Sequence, residues 1–398
     1  KIFIPSKNGG IKMRVLLIPY DNGMHINYPP LNLMYVAGMI RKEKYYDVDV
    51  YQHDVYHSED SLRCHLRDNH YDIIGMGACA GYYQYQQIQK LCQIIKEESE
   101  ADIWLGGHLV SPDPDYFKEK FGADWVCQGE YDYTEDLDSL PLPAWDLFNI
   151  DYYALMRLPH ADNSDRCFPV LGGRGCPFKC TFCYRMEKGY RAHSIERILE
   201  EVNILIKDYH INYIDFADEL LMTDPDRPVQ IAEALKPLGI KWDCNGRLNY
   251  AKPEILKKMK EAGCVFINYG IESVDDEVLE LMNKKLQYAQ IIKGVEATLE
   301  VGISPGLNII WGNLGDTKDT LWRSVEFLLK YDDHAQLRTI RPVTPYPGSA
   351  LYDYAIEKGL LKDIGDFYEK HKNSDLLTVN FTGLSDEDFY YELCQANL

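Results

Sequence analysis

A chain of 398 residues, 46% hydrophobic and 26% charged, exceeds one ordinary domain and carries enough apolar residues for two cores. Its formal net charge of −20 argues against a protein built mainly to hold nucleic acid, which needs clustered Lys and Arg; one basic pocket for an anionic small molecule stays open. There is no long apolar run, so no membrane span is expected, and the opening KIFIPSKNGG lacks signal-peptide features, which makes the cytoplasm the expected compartment.

Between residues 14 and 130 short apolar runs alternate with helical spacing. Strands are expected at Arg14–Tyr20, Val48–Asp54, Ile73–Cys79, Ile103–Gly107 and Trp125–Glu130, with helices at Leu31–Glu43, Ser58–Asn69, Tyr82–Glu98 and Pro112–Phe121. This alternation implies a parallel, doubly wound α/β sheet of the Rossmann or flavodoxin-like kind, in which ligands sit beyond the carboxyl ends of the strands. Those ends carry Asn22-Gly23, Gly77-Ala78-Cys79, Gly106-Gly107-His108 and Gln128-Gly129-Glu130. A glycine after a strand also makes an ordinary turn; four small-residue turns on one edge favour a large flat ligand brought close to the backbone. No GxGxxG follows the first strand, so the dinucleotide fingerprint is absent.

The Pro-rich stretch 138–146 reads as the start of a linker. Beyond it the alternation restarts, with strands expected at Pro169–Gly173, Tyr213–Asp218, Lys241–Gly246, Val265–Ile271, Ser304–Gly312 and Gln336–Thr344. The intervening helices are Ser194–Tyr209, Pro228–Leu238, Pro253–Ala262, Asp275–Met282, Tyr288–Val301 and Asp319–Tyr331. Six β/α units suit a partial (β/α)6 barrel, with its chemistry at the carboxyl strand ends. The expected domains are 1–137, a linker 138–165, a barrel 166–349 and a helical cap 350–398.

Eight of the eleven cysteines, Cys64, Cys79, Cys92, Cys127, Cys167, Cys244, Cys264 and Cys394, are scattered singly and read as packed thiols. Cys176, Cys180 and Cys183 differ: they form Cys-x3-Cys-x2-Cys in a Gly-rich loop after the first barrel strand. A structural zinc site needs a fourth ligand, and the nearest downstream candidate, His193, completes no zinc spacing. Three thiolates on a four-iron cube would leave one iron open, a reactive arrangement.

At these residues the sequence resembles the radical S-adenosylmethionine (SAM) superfamily, whose CxxxCxxC motif matches Cys176, Cys180 and Cys183, with Tyr184 as the aromatic neighbour. Gly270-Ile271-Glu272-Ser273 is similar to the family segment that contacts SAM, and Asp218-Glu219 and Asn245-Gly246-Arg247 match positions lining the same pocket. Thr344-Pro345-Tyr346-Pro347-Gly348-Ser349 is similar to the turn after the sixth strand. The first third resembles the cobalamin-binding domain of one subgroup, through Tyr28-Pro29-Pro30-Leu31, Gly77-Ala78-Cys79, Gly106-Gly107-His108 and Gln128-Gly129-Glu130, and LDSLPLPAWD (137–146) resembles its connector. Two departures stand out. Asp54-Val55-Tyr56-His57 has the wrong spacing for the Asp-x-His-x-x-Gly motif, so cobalt is expected without a histidine from this domain, and the stretch from Glu130 to Leu137 is shorter than usual.

The resemblance implies a [4Fe-4S] cluster on the three cysteines, reductive cleavage of SAM to a 5′-deoxyadenosyl radical, and methylation of an unactivated carbon of a small-molecule substrate from methylcobalamin. It also implies an external flavodoxin- or ferredoxin-type electron donor; the chain is expected to act as a monomer. Glu272 is then a ribose acceptor and Arg247 a partner for the SAM carboxylate, each weighed against an ordinary solvated charge. Arg338 and Arg341, with His334 just before, are candidates for an anionic substrate group or for exterior ion pairs, and His371 reads as a surface residue. A non-methylating rearrangement or oxidative cyclisation with the same cofactors is the second reading. RNA methylthiolation is the third, disfavoured by the charge and by the lack of a second cysteine set.

Overall fold

The computed structural model describes residues 12–23, 26–79, 81–131, 134–335 and 338–398. It divides into two compact units, Lys1–Met156 and Arg157–Leu398. The expected sixth strand begins at Gln336 and Leu337, and the short stretch after Glu130 includes Asp132 and Tyr133; all four, like KIFIPSKNGG, lie outside the described residues.

In the first unit, β1 (Met13–Leu17), β2 (Tyr46–Val50), β3 (Ile73–Gly77), β4 (Asp102–Gly106) and β5 (Trp125–Val126) form one sheet in the order β2-β1-β3-β4-β5. Every pairing is parallel. Central β1 is covered on both faces, which is why Val15, Leu16 and Leu17 run without alternation. Edge strand β2 alternates instead, and its Asp47 and Asp49 deter pairing with another chain. The order reverses between β1 and β3, which makes that carboxyl edge the switch point where ligands bind in open α/β sheets.

Several expected strands, Arg14–Tyr20 and Ile73–Cys79 among them, run past the observed ends, and the overrun is longest in two. β2 stops at Val50 because His53–Tyr56 folds into a helical turn, with Asp54 N–H donating to the Pro19 carbonyl. β5 stops at Val126, and Gly129, at φ +80°, carries the chain away. The segment from Leu137 to Tyr153, expected as connector and linker, packs on the helix Leu31–Lys42. Ala144 N–H donates to the Met34 carbonyl at 2.9 Å, Arg41 pairs with Asp146 at 2.8 Å, and a Cβ at Gly38 would stand 2.3 Å from the Leu142 carbonyl oxygen.

In the second unit, β6 (Cys167–Val170), β9 (Tyr213–Phe216), β10 (Lys241–Gly246), β11 (Cys264–Glu272), β12 (Ser304–Trp311) and β13 (Ile340–Pro342) pair in chain order as a parallel sheet; β7 (Gly173–Arg174) and β8 (Arg191–Ala192) form a short antiparallel hairpin. A helix follows each of the first five strands, and no pairing joins β6 to β13 among the described residues, so the barrel is partial. The helix Ile195–Tyr209 illustrates why these segments are helical. Ser194 accepts from Arg197 N–H as N-cap, His210 ends it left-handed, and Ile198, Val202 and Leu205 place one buried stripe on the sheet. Burying each of these side chains contributes roughly 1.5–3 kcal/mol, against about 1 kcal/mol for the cap.

The C-terminal region is helical, at Ala350–Glu357, Ile364–Lys370 and Asp386–Ala396. Phe389 stacks on Trp311 at 4.3 Å, and Asn397 donates to the Ile340 carbonyl and accepts its N–H, capping the backbone of edge strand β13. Arg338 pairs with Asp332 and Asp333 at 3.2 and 2.6 Å, Arg341 with Asp375 at 3.1 Å, and His334 with Asp332 at 2.9 Å. Arg341 and His334 thus make exposed ion pairs, whereas the Arg338 side chain is only 6% exposed.

His371 corrects the expectation of a surface residue: it is 2% exposed, stacks on Phe367 at 5.1 Å and shares a hydrogen bond with Thr378 at 3.0 Å. The Phe367-x3-His371 spacing on one helical face could have signalled this. Burial pushes its pKa down to about 4. The unfolded chain takes up this proton below about 6.5, so the stability it contributes is complete above that pH and is lost as pH falls towards about 4, roughly 3 kcal/mol at most. Thermal unfolding between pH 7 and 4 should be less pH-dependent in His371→Phe than in the parent; equal slopes would refute the assignment.

Candidate functional site

The three cysteines lie in the loop between β7 and β8, and its two ends are fastened at Gly172 and His193. Gly172 N–H donates to Asp218 Oδ1 at 2.6 Å, while its carbonyl accepts from Arg227 Nη2 at 2.7 Å and from His193 N–H at 2.9 Å. Arg227 also donates to the His193 carbonyl at 2.8 Å, so one buried guanidinium bridges both ends. Burial raises the Asp218 carboxyl to about 7, opposed by the Gly172 N–H and then by Arg227. Glycine is required inside the hairpin. A Cβ at Gly173 would meet the Arg191 carbonyl at 2.6 Å, and Gly175, at φ +83°, faces the Gly189 carbonyl at 2.4 Å.

A second segment, Met282–Lys285, cradles the same loop. Thr181 N–H donates to the Met282 carbonyl at 2.9 Å and Asn283 Nδ2 to the Lys179 carbonyl at 2.7 Å. Arg247 lies 3.6 Å over the Phe178 ring and donates to the carbonyls of Lys284 and Lys285. Lys284 Nζ pairs with Glu272 at 2.9 Å and stands 5.7 Å from the Phe182 ring. Gly172, Phe178, Phe182, Arg227, Asn283 and Lys284 were not picked out as site residues from sequence. The one local signal was the pair of basic residues after Asn283, where Asn283 and Lys285 both adopt positive φ.

The thiols interact with one another. Although Cys183 is exposed at its surface side, the protein packed around it raises its thiol, with Glu219, Cys180 and Cys176 acting in the same direction and Lys284 opposing; half-burial also raises Cys176. Such thiols stay protonated unless a metal centre supplies the positive charge that makes a thiolate favourable. Three free thiols in one loop, with charges of both signs around them, suit an iron–sulfur group, whereas a closed zinc tetrahedron needs a fourth ligand.

The other expected residues divide in two. Glu272 sits at φ +69° on a bulge of β11, a left-handed backbone that few non-glycine residues adopt. A Cβ at Gly270 would stand 2.3 Å from the Glu272 carboxylate and 3.0 Å from Lys284 Nζ, so a side chain there would push on this pair. Asn245 belongs to an amide row: Asn308 donates to Asn268 at 2.6 Å, Asn268 to Asn245 at 3.0 Å, and Asn245 to the Asp218 carbonyl at 2.7 Å. On the same face of β9 and β10, Asp243 is held well above the usual carboxylate range by burial and by Asp215. Glu219 is exposed and Tyr184 half-buried. Ser273 accepts from Asp275 N–H at 3.2 Å, and Arg247 stacks on the cluster loop at Phe178.

In the first unit the small residues at the carboxyl edge have partly a packing cause. A Cβ at Gly77 would meet the Asn32 amide at 2.3 Å, and at Gly107 the Ala78 carbonyl at 2.4 Å; at Gly106 it would meet only Cys127, at 3.5 Å, which leaves room. Ala78 N–H donates to the Gly106 carbonyl at 2.6 Å, Cys79 N–H to Tyr20 Oη at 3.0 Å, and Gly129 N–H to Ser111 Oγ at 3.1 Å. His108 and Gln128 are exposed along this edge and Glu130 is half-buried, whereas Pro30 caps the helix and Leu31 is buried as its first residue. A row of glycines with exposed polar side chains beside it suits a large planar ligand such as a corrin.

A model of the radical SAM superfamily matches residues 170–328, and one of the B12 binding domain matches residues 25–137. An uncharacterized methyltransferase of Pyrococcus horikoshii is 29% identical over 381 residues, covering 84% of this chain and 80% of the relative. The anaerobic magnesium-protoporphyrin IX monomethyl ester cyclase of Rubrivivax gelatinosus is 24% identical over 412 residues, covering 89% and 72%. Among solved structures, the radical SAM methyltransferase TsrM from Kitasatospora setae, with cobalamin and a [4Fe-4S] cluster bound, superposes with a TM-score of 0.71 at 14% identity, over 87% of this chain and 75% of that one. The chain thus carries a radical SAM superfamily segment preceded by a B12 binding domain segment.

Proposed function

We propose that this protein is a cobalamin-dependent radical SAM enzyme that methylates an unactivated carbon of a small molecule. The observation that carries the proposal is the pinned cysteine hairpin, with Glu272 and Lys284 beside it. In this reading Cys176, Cys180 and Cys183 ligate the cluster, and the glycine-lined carboxyl edge of the first unit, at Gly77, Ala78, Gly106, Gly107 and His108, takes the corrinoid. When bound, the cluster supplies the electron that cleaves SAM and the corrinoid supplies a transferable methyl group.

The chain's own part is positioning. Asp218 and Arg227 close the ends of the cluster hairpin, Arg247 and Asn283 press it from the far side, and Glu272 offers a carboxylate to the ribose hydroxyls of SAM. A small flavoprotein or ferredoxin delivers the electron. No helix among the described residues is long and apolar enough to cross a membrane.

The second reading, oxidative cyclisation with the same cofactors, is favoured by the similarity to a protein named as a cyclase. Methyl-labelled SAM separates the two. Anaerobically reconstituted protein, given a reductant and a candidate small-molecule mixture, should place label in a small-molecule product other than methionine and methylcobalamin. A consumed substrate whose products all lack label would reject methylation in favour of cyclisation.

A further inference from the structure

Between β1 and the helix Leu31–Lys42, beside the switch point, Asn22 and Asn27 are tied together through one buried side chain. Asn27, 1% exposed, accepts from Asn22 N–H at 3.0 Å and donates through Nδ2 to the Asp54 carbonyl at 2.7 Å. Its Nδ2 and its backbone N–H both donate to Tyr152 Oη, at 3.3 and 3.2 Å. The neighbouring Tyr153, fully buried, donates to Asp54 Oδ2 at 2.5 Å and accepts from Gln52 Nε2 at 3.4 Å. Both tyrosines sit on the one-turn helix Ile150–Tyr153, started by Asn149, whose side chain accepts from Tyr152 N–H.

Two hydroxyls of the connector thus set the loop after β1 and the turn after β2, all within the first unit. Apolar side chains could fill this space at no loss of stability; a buried hydrogen-bonded network differs in admitting one geometry. Asn27, so fixed, leads directly into Tyr28-Pro29-Pro30-Leu31. We propose that Tyr152 and Tyr153 are positioning residues for the corrinoid, holding the loop after β1, through Asn27 and Asp54, in its cofactor-binding form. This rests on the reading of the first unit as a corrinoid-binding domain.

The network carries its own spectroscopic handle. Burial raises the Asp54 carboxyl to about 6, opposed by the Tyr153 hydroxyl; His57 lowers it, Asp21 raises it, and His53 adjoins it. Below about pH 6 Asp54 takes up a proton and the Tyr153 contact loses its charge-assisted character. Corrinoid affinity should therefore fall as pH drops from 7.5 to 5.5.

The test is an absorbance titration of the full chain with hydroxocobalamin across that pH range, with iron content and thermal unfolding measured alongside. Tyr152→Phe should weaken binding about ten-fold, the worth of the lost hydrogen bonds. Tyr153→Phe should move the midpoint of the pH profile upward, and Asp54→Asn should flatten it. Iron content should stay at the parent value throughout. Unchanged affinity in Tyr152→Phe together with an unchanged midpoint in Tyr153→Phe overturns the proposal, even where thermal stability drops. A parent chain that takes no hydroxocobalamin at any pH overturns instead the corrinoid reading on which the proposal stands.

Discussion

Cys176→Ala, reconstituted anaerobically with iron and sulfide, should yield no detectable 5′-deoxyadenosine from SAM while binding hydroxocobalamin as the parent does. The thiols of Cys176, Cys180 and Cys183 share one loop, and the hairpin that carries them is held by Asp218, Arg227, Arg247 and Asn283 and not by the cysteines themselves. Removing one thiol therefore leaves the fold intact and takes away a ligand. The first unit has its own sheet and core, so its ligand should be unaffected. Iron analysis, product chromatography and a cobalamin titration of the same sample check the three parts. Loss of cobalamin along with the cluster would mean that the two functions are not divided between the units.

The second large effect is expected at Glu272 and Lys284. Their side chains are 11% and 8% exposed and stand 2.9 Å apart, so each neutralises a charge that water barely reaches. Glu272→Gln or Lys284→Met alone leaves the partner's charge buried, which costs about 3–5 kcal/mol. The double variant removes both charges and should recover most of that stability in denaturant unfolding. SAM binding should behave differently. If Glu272 serves the ribose, the double variant stays defective in equilibrium binding of SAM although its fold is restored. A double variant that regains both stability and SAM affinity would assign the pair a structural role alone.

Much of this was legible along the chain because it is local. Alternation of apolar runs with helical spacing gave both sheets, and the helix Tyr82–Glu98 and strand Lys241–Gly246 came out with their observed bounds. The spacing of Cys176, Cys180 and Cys183, with glycines at 172, 173 and 175, announced an iron–sulfur loop, since thiols that share a centre must be close in sequence or brought close by the fold. Strand ends were less legible. Val48–Asp54 looked extended up to Asp54, but the Tyr153 hydroxyl, ninety-nine positions away, takes its carboxylate and the turn forms instead.

What only the tertiary structure decided was the partnership of groups far apart in sequence. Nothing near Arg247 in sequence shows that the fold lays it over Phe178. His371 read as a surface residue, yet Phe367 and Thr378 enclose it. Lys284 and Arg227 carried no motif, and they became site residues only when β11 brought Glu272 to the first and the hairpin brought Gly172 to the second. The reason is physical: periodicity and ligand spacing are properties of neighbouring residues and survive in a linear pattern. A side chain's electrostatic partner is set by how strands register and loops cross, and no short stretch of sequence contains that.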